Sequence, residues 1–290
     1  MSAVRPGEAK PAAMKPLSGA EIRRIVISMT ATCAIGAAIL GGVYLATDRY
    51  AEEARVAGER RAVSDLLGLA PDAKVLEVDQ WLLPGGDRVA YRTVPDAGAG
   101  REVVFSLDGA LVHEGPAEGE APPKGSRSLG RLFVATERGA PAGFVTEGET
   151  RGYKNRIRFF VGITADGSIS GVRVLEHEED PGLGAEVATP WFTGQFVGRT
   201  LASVPDLDVT KTPMPEDWRA ALRERGRLTP AAWATRYQGL EKRESGHPIY
   251  AVTGATISSR ALTNGVRATI AHFERRWALV GPHLTSGAGG

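Results

Sequence analysis

Between Arg24 and Asp48 lie 23 consecutive residues without a charge, the only such stretch in the chain. About 20 apolar residues span a bilayer core as a helix, so residues 25–47 predict one transmembrane helix preceded by a tail of residues 1–24. Gly36, Gly41 and Gly42 within it are tolerated in lipid and suit close contact with neighbouring helices. A cleaved signal peptide is the competing reading. Against it, the run exceeds the roughly 7–15 residues of a signal h-region, and a long segment precedes it. Arg23 and Arg24 flank one end and Asp48 the other, which sets the N-terminus inside, although Arg49, Arg55, Arg60 and Arg61 follow. Everything after residue 47 is then expected on the far side of the membrane, the periplasm in a bacterial-type cell.

Composition narrows what that exported part can be. An apolar content of 42% supports a real core, which excludes a wholly disordered chain. Lys plus Arg (35) nearly cancel Asp plus Glu (34), so the chain lacks the basic footprint of phosphate-backbone binding and no nucleic-acid partner is expected. With Cys33 alone, neither an intramolecular disulfide nor a thiolate metal cluster can form. Glycine is abundant, 36 of 290 residues. That favours a loop-rich α+β domain over a helical bundle.

Residues 48–69 carry alanines and leucines at helical spacing among charges and read as a stalk. In residues 70–142 short β-like runs at 75–78, 89–91, 103–106 and 132–135 are separated by Pro-Gly-Gly, Asp-Gly and Ala-Pro-Pro, a β-rich structural region without site chemistry. Beyond it, Ile157, Phe159, Val161 and Ile163 alternate with Arg158, Phe160 and Gly162; Ala-Asp-Gly-Ser then turns into a second run at 169–175, a predicted hairpin. Thr189-Pro190 and Thr229-Pro230 each place a capping hydroxyl before a proline suited to a first helical position. Leu262, Val266, Ile270, Phe273 and Trp277 line one face of an amphipathic helix starting near Ser258.

The segment Tyr250-Ala-Val-Thr-Gly-Ala-Thr-Ile-Ser-Ser-Arg260 reads as a short strand, a small-residue turn and that helix. Free amides and the helix dipole at such a terminus favour an anion, so a phosphate held at Thr256 needs no lysine. A plain capping turn, with Ser258 or Ser259 as the cap, reads the same residues as well. His177-Glu178 opens like a zinc-protease signature, but position 181 is Pro where the second His belongs. No metal is expected there. The following Pro-Gly-Leu-Gly taken alone is a turn.

Thr253-Gly254-Ala255-Thr256 resembles the Ser/Thr-Gly-Ala-Thr motif of the FMN-binding domain shared by the G subunit of Rnf-type complexes and the C subunit of the sodium-pumping NADH:quinone reductase. In that family the last Thr carries FMN through a phosphoester made by a dedicated flavin transferase. His177-Glu-Glu-Asp-Pro-Gly-Leu-Gly184 resembles the family's His-x-Glu-Thr-Pro-Gly-Leu-Gly, with Asp180 in place of Thr, and Gly152-Tyr153 precedes the hairpin as it does there. The resemblance covers roughly residues 143–277 and the anchor. One departure is Tyr250, where the family usually has Asp six positions before the modified Thr.

The resemblance implies an α+β, extracytoplasmic FMN-binding domain over residues 143–280, with a mostly antiparallel sheet, flanking helices and a disordered tail at 281–290. It implies covalent FMN on Thr256, surrounded by Thr253, Gly254, Ala255, Ser258, His177, Glu179, Gly182, Leu183 and Gly184. Gly182 and Gly184 would let backbone amides approach the isoalloxazine while Leu183 covers its apolar face. No catalytic side chain is implied, because the redox chemistry belongs to the flavin. The implied role is electron relay in an ion-translocating ferredoxin:NAD+ oxidoreductase of the inner membrane, with other membrane subunits and a flavin transferase as partners. The C subunit of the quinone reductase and a flavin-free anchored assembly domain are the alternatives.

Overall fold

The computed structural model describes residues 18–69, 73–94, 100–117, 122–137 and 140–285, and it begins with one long helix, α1 (Gly19–Leu67). A capping box starts it: Ser18 Oγ and N both donate to Glu21 Oε2 at 2.8 Å, and Glu21 N donates back to Ser18 Oγ at 3.4 Å. Residues 19–24, expected in the tail, are therefore helical, and residues 1–17 lie outside the described residues. α1 is long and apolar enough to cross a membrane, and none of its apolar window is buried in the protein. The chain divides into two units, one up to Ala57 and one from Gly58 onward.

The second unit is built on an antiparallel sheet of eight strands: β1 (Lys74–Leu82), β2 (Arg88–Val94), β3 (Arg101–Ser106), β4 (Leu111–Pro116), β5 (Arg127–Glu137), β6 (Ala140–Arg151), β7 (Arg156–Thr164) and β8 (Ile169–Glu176). Their spatial order is β4-β3-β2-β1-β5-β6-β7-β8. Two meanders thus lie side by side and meet where β5 returns to pair with β1, Val78 opposite Leu132. The boundary expected between residues 142 and 143 falls inside β6, because the pairing of β5 with β6 continues one sheet through it. β4 and β6 have no counterpart among the expected runs; the side chains of β4 are mostly exposed, so no apolar alternation marks it.

Alternation on β7 decides which face each residue serves. Ile157, Phe159, Val161 and Ile163 are buried in the main core, whereas Phe160 points to the other face. There it meets Phe133 and Val145 beneath Ala62 and Val63 of α1, with Leu66 and Leu67 alongside. The last turns of the expected stalk are therefore packed onto the sheet, since Phe160 and Val145 would otherwise face water.

After β8 come short 3-10 turns and α2 (Pro190–Thr193), α3 (Glu216–Glu224) and α4 (Pro230–Glu244). Thr229 caps α4 by accepting from Ala232 N at 3.3 Å, whereas the Thr189 hydroxyl donates to Glu186 O instead. A two-stranded parallel pair is also present, β9 (Val209–Thr210) with β10 (Ile249–Tyr250). The final helix, α5 (Thr256–Thr285), lays Leu262, Val266, Ile270 and Phe273 into the main core against β6 and β7. Phe144 packs between Phe273 and Trp277 with ring centroids 5.1 and 4.6 Å away. The tail expected at 281–290 is helical as far as Thr285 because Leu284 still buries itself; residues 286–290 lie outside the described residues.

Under the end of α1, Arg131 bridges Glu59 (2.7 Å), Glu147 (2.9 Å) and Glu77 (3.4 Å), and Arg158 bridges Glu147 (2.5 Å) and Glu176 (3.1 Å). Burial alone would raise the Glu147 carboxyl, but Arg131 and Arg158 hold it below its ordinary value. Its stabilisation is present in full above the unfolded-state pKa of about 4.3 and disappears as pH falls through the folded-state value. Asp79 works oppositely: burial and Glu77 raise its pKa, so acidification relieves it. Glu147→Gln is expected to cost about 3 kcal/mol at pH 7 and to flatten the acid limb of stability, which urea unfolding of the detergent-solubilised chain between pH 7 and pH 3 would measure.

Candidate functional site

The site forms where β8 leaves the sheet and α5 begins. Gly254 ends the Tyr250–Gly254 approach with φ at +80°, turning the chain into the helix. Ser259 Oγ closes that turn, accepting from Val252 N and donating to Ala255 O, each at 2.9 Å. α5 then starts at Thr256, two residues earlier than the sequence predicts, so neither Ser258 nor Ser259 is its cap; both lie in its first turn. Among the described residues the amides of Thr256, Ile257 and Ser258 and the hydroxyl of Thr256 have no hydrogen-bond partner. Three unsatisfied amides, the positive end of a helix dipole and a half-buried hydroxyl therefore converge at one point. This arrangement fits a phosphate.

The other motif lies alongside. Leu183 packs against Gly254, where an added Cβ would sit 3.1 Å from Leu183 Cδ2. Leu183 is nonetheless 46% exposed and Ile257 60%, so two large apolar side chains remain uncovered beside the helix end. Thr253 and Gly254 are exposed, and Ala255 is buried. The 181–184 loop is shaped locally: Asp180 O accepts from Leu183 N at 3.2 Å and from Ala185 N at 3.0 Å, and Gly182 takes a φ of +72° that few other residues adopt. Asp180 itself pairs with Lys154 at 2.5 Å, an exposed contact that adds little stability.

Three expected flavin contacts have other local uses. Glu179 is buried at 4% exposure; it accepts from the Ser258 hydroxyl and, at 3.0 Å, from Lys154 N. His177 Nδ1 accepts from Glu179 N at 3.3 Å and so shapes the turn. Gly184 is buried, and a Cβ there would lie 2.5 Å from Glu179 Oε2 and 2.9 Å from Ser258 Oγ. Its bare side faces that carboxylate, so the position has no room for a side chain.

Tyr250 sits behind the turn. Its backbone N donates to Gln195 Oε1 at 2.8 Å, its O accepts from Gln195 Nε2 at 3.2 Å, and its phenol donates to the buried Glu244 Oε2 at 2.8 Å. Burial, then Glu244, pushes the phenol up to about 12. Sequence reasoning missed Gln195, Glu244 and Lys154, which lie 55, 6 and 25 residues from the groups they hold, and no local pattern signals such pairs.

Comparison with known proteins gives the domain and its relatives. Residues 152–271, which contain both motifs, match the model of the FMN-binding domain. The chain is 29% identical over 144 residues to the G subunit of the Na+-translocating ferredoxin:NAD+ oxidoreductase complex of Acetobacterium woodii, covering 49% of this chain and 55% of that protein. It is 24% identical over 251 residues to the G subunit of the ion-translocating oxidoreductase complex of Methanosarcina acetivorans, covering 86% and 93%. With the Acetobacterium relative, as with the corresponding protein of Pseudoalteromonas atlantica (57%), the chain spans only about half the relative's length. Among solved structures, NqrC of Shewanella oneidensis aligns with a TM-score of 0.42 at 18% identity, over 72% of this chain and 89% of that one. Residues 152–271 thus match the FMN-binding domain, and the chain is similar to the G subunits of ion-translocating oxidoreductase complexes.

Proposed function

We propose that this protein is a membrane-anchored electron-relay component of an ion-translocating oxidoreductase, carrying FMN bonded covalently through its phosphate to Thr256. The observation that carries the reading is the convergence at Thr256 of unsatisfied helix amides and a free hydroxyl, beside the exposed Leu183 and Ile257. The amides would hold the phosphate, and the apolar pair suits the ring system. A threonine hydroxyl has no useful acidity near neutral pH, so attachment would require a separate flavin transferase and its metal. The bound flavin supplies the redox chemistry; the chain holds and orients it. The partners in this reading are the other membrane subunits, and the domain from Gly58 onward lies on the periplasmic side of the inner membrane.

Thr256→Val keeps the shape and removes the hydroxyl. Coexpressed with a flavin transferase, the unaltered chain should fluoresce as a flavin band in a denaturing gel and Thr256→Val should not, whereas Thr253→Val should keep FMN on Thr256. Flavin recovered by peptide mass spectrometry on Thr253, Ser258 or Ser259 would overturn the assignment. A chain that takes up no flavin would favour the anchored assembly domain.

Tyr250→Asp restores the acid usual in the related family but buries a shorter, charged side chain in the space of the phenol and leaves the buried Glu244 without the phenol's hydrogen bond. It is expected to destabilise the domain by about 2–4 kcal/mol, read as a lowered urea midpoint, and Glu244→Gln in the same chain should recover part of that loss.

Placement is tested independently. In sealed spheroplasts, protease added outside should digest the domain and leave a fragment containing residues 25–47; a protected domain would reverse the orientation.

A further inference from the structure

Glycine is required at a backbone position for one of two reasons, a left-handed φ or the absence of room for a Cβ. Gly182 belongs to the first kind: its φ is +72°, and an added Cβ there meets nothing within 4 Å. Gly152 and Gly184 belong to the second. Neither has a positive φ, and the space each Cβ would take is filled by the same side chain. A Cβ at Gly152 would collide with Glu179 Oε1, and one at Gly184 would lie 2.5 Å from Oε2. Two glycines separated by a hairpin therefore form a cradle for one carboxylate.

That carboxylate is buried at 4% exposure, and each oxygen has a hydrogen-bond donor on a different element. Lys154 N, on the turn between β6 and β7, donates to Oε1 at 3.0 Å. The hydroxyl of Ser258, in the first turn of α5, donates to Oε2. Glu179's own backbone leads directly into the loop that presses Leu183 against Gly254. Removing one donor to a buried carboxylate leaves an expensive unsatisfied acceptor, so this contact resists sliding of α5 against the loop.

We infer that Glu179 is the positioning residue of the site: its two oxygens are engaged by Lys154 N and the Ser258 hydroxyl, and through Ser258 it fixes Thr256 relative to Leu183 while Gly152 and Gly184 leave room for its carboxylate. For flavin placement this rests on the function proposed above. The mechanical part does not, and the test separates them.

Hydrogen exchange on the full-length chain in detergent, in the Thr256→Val background without flavin, should show residues 152–155 and 181–185 opening on the order of 10- to 100-fold more often in Ser258→Ala and in Glu179→Gln. Strands β6 and β7 should stay protected, and the double variant should open no more than the worse single one, because both act through one contact. In flavin-loaded protein with Thr256 intact, Ser258→Ala and Gly184→Ala should shift the flavin's reduction potential and visible spectrum, each measured per bound flavin so that any change in the modified fraction does not enter the comparison. Unaltered exchange in both segments overturns the latch. Altered exchange with an unmoved potential and spectrum overturns its role in placing the flavin. A chain that binds no flavin sinks the proposed function while the exchange result still decides the latch.

Discussion

The packing of α5 along β6 and β7 is the contact on which the rest of the structure depends. Leu262, Val266, Ile270 and Phe273 fill the core from one side, and Phe159 and Phe144 meet them from the sheet. Interiors packed at crystal-like density allow a helix few alternative placements, so this stripe fixes both the rotation of α5 and its advance along the strands. The position of Thr256 follows from it, since that residue opens the same helix.

The opposite face of the sheet shows why one strand can look ambiguous in isolation. Phe160 interrupts an otherwise polar side of β7 together with Arg158, and both are explained by what covers them. The last turns of α1 bring Ala62 and Val63 to the phenylalanine and Glu59 to the Arg131–Arg158 pair. Apolar burial and charge neutralisation thus act side by side on one patch of the sheet, and each guanidinium is satisfied by more than one acid, a geometry that offsets the desolvation of a partly buried cation.

Around the helix end, polar groups divide into those spent on structure and those left free. Ser258, Ser259, Glu179 and His177 all have partners within the fold. The Thr256 hydroxyl and three amides do not. Unpaired amides are ordinary in the first turn of a helix, so the contrast marks which groups at this helix end are available to an anion and which are already committed to the fold.

The apolar run of the anchor, the hairpin, the stripe of α5 and the residue types of both motifs were legible in the chain alone, because each depends on periods of 2 or 3.6 residues or on an uninterrupted local segment. β4 was not, since its exposed side chains carry no alternation. The join of β1 to β5 and the covering of Phe160 by α1 were decided only by tertiary structure, which pairs residues far apart in sequence. The same holds for the glycines. Gly182 and Gly184 look equivalent in Pro-Gly-Leu-Gly, yet one serves a backbone angle and the other the volume of a carboxylate that also touches Gly152 and Ser258. A sequence records which residue lacks a side chain; what fills the vacated space depends on neighbours that only folding brings together.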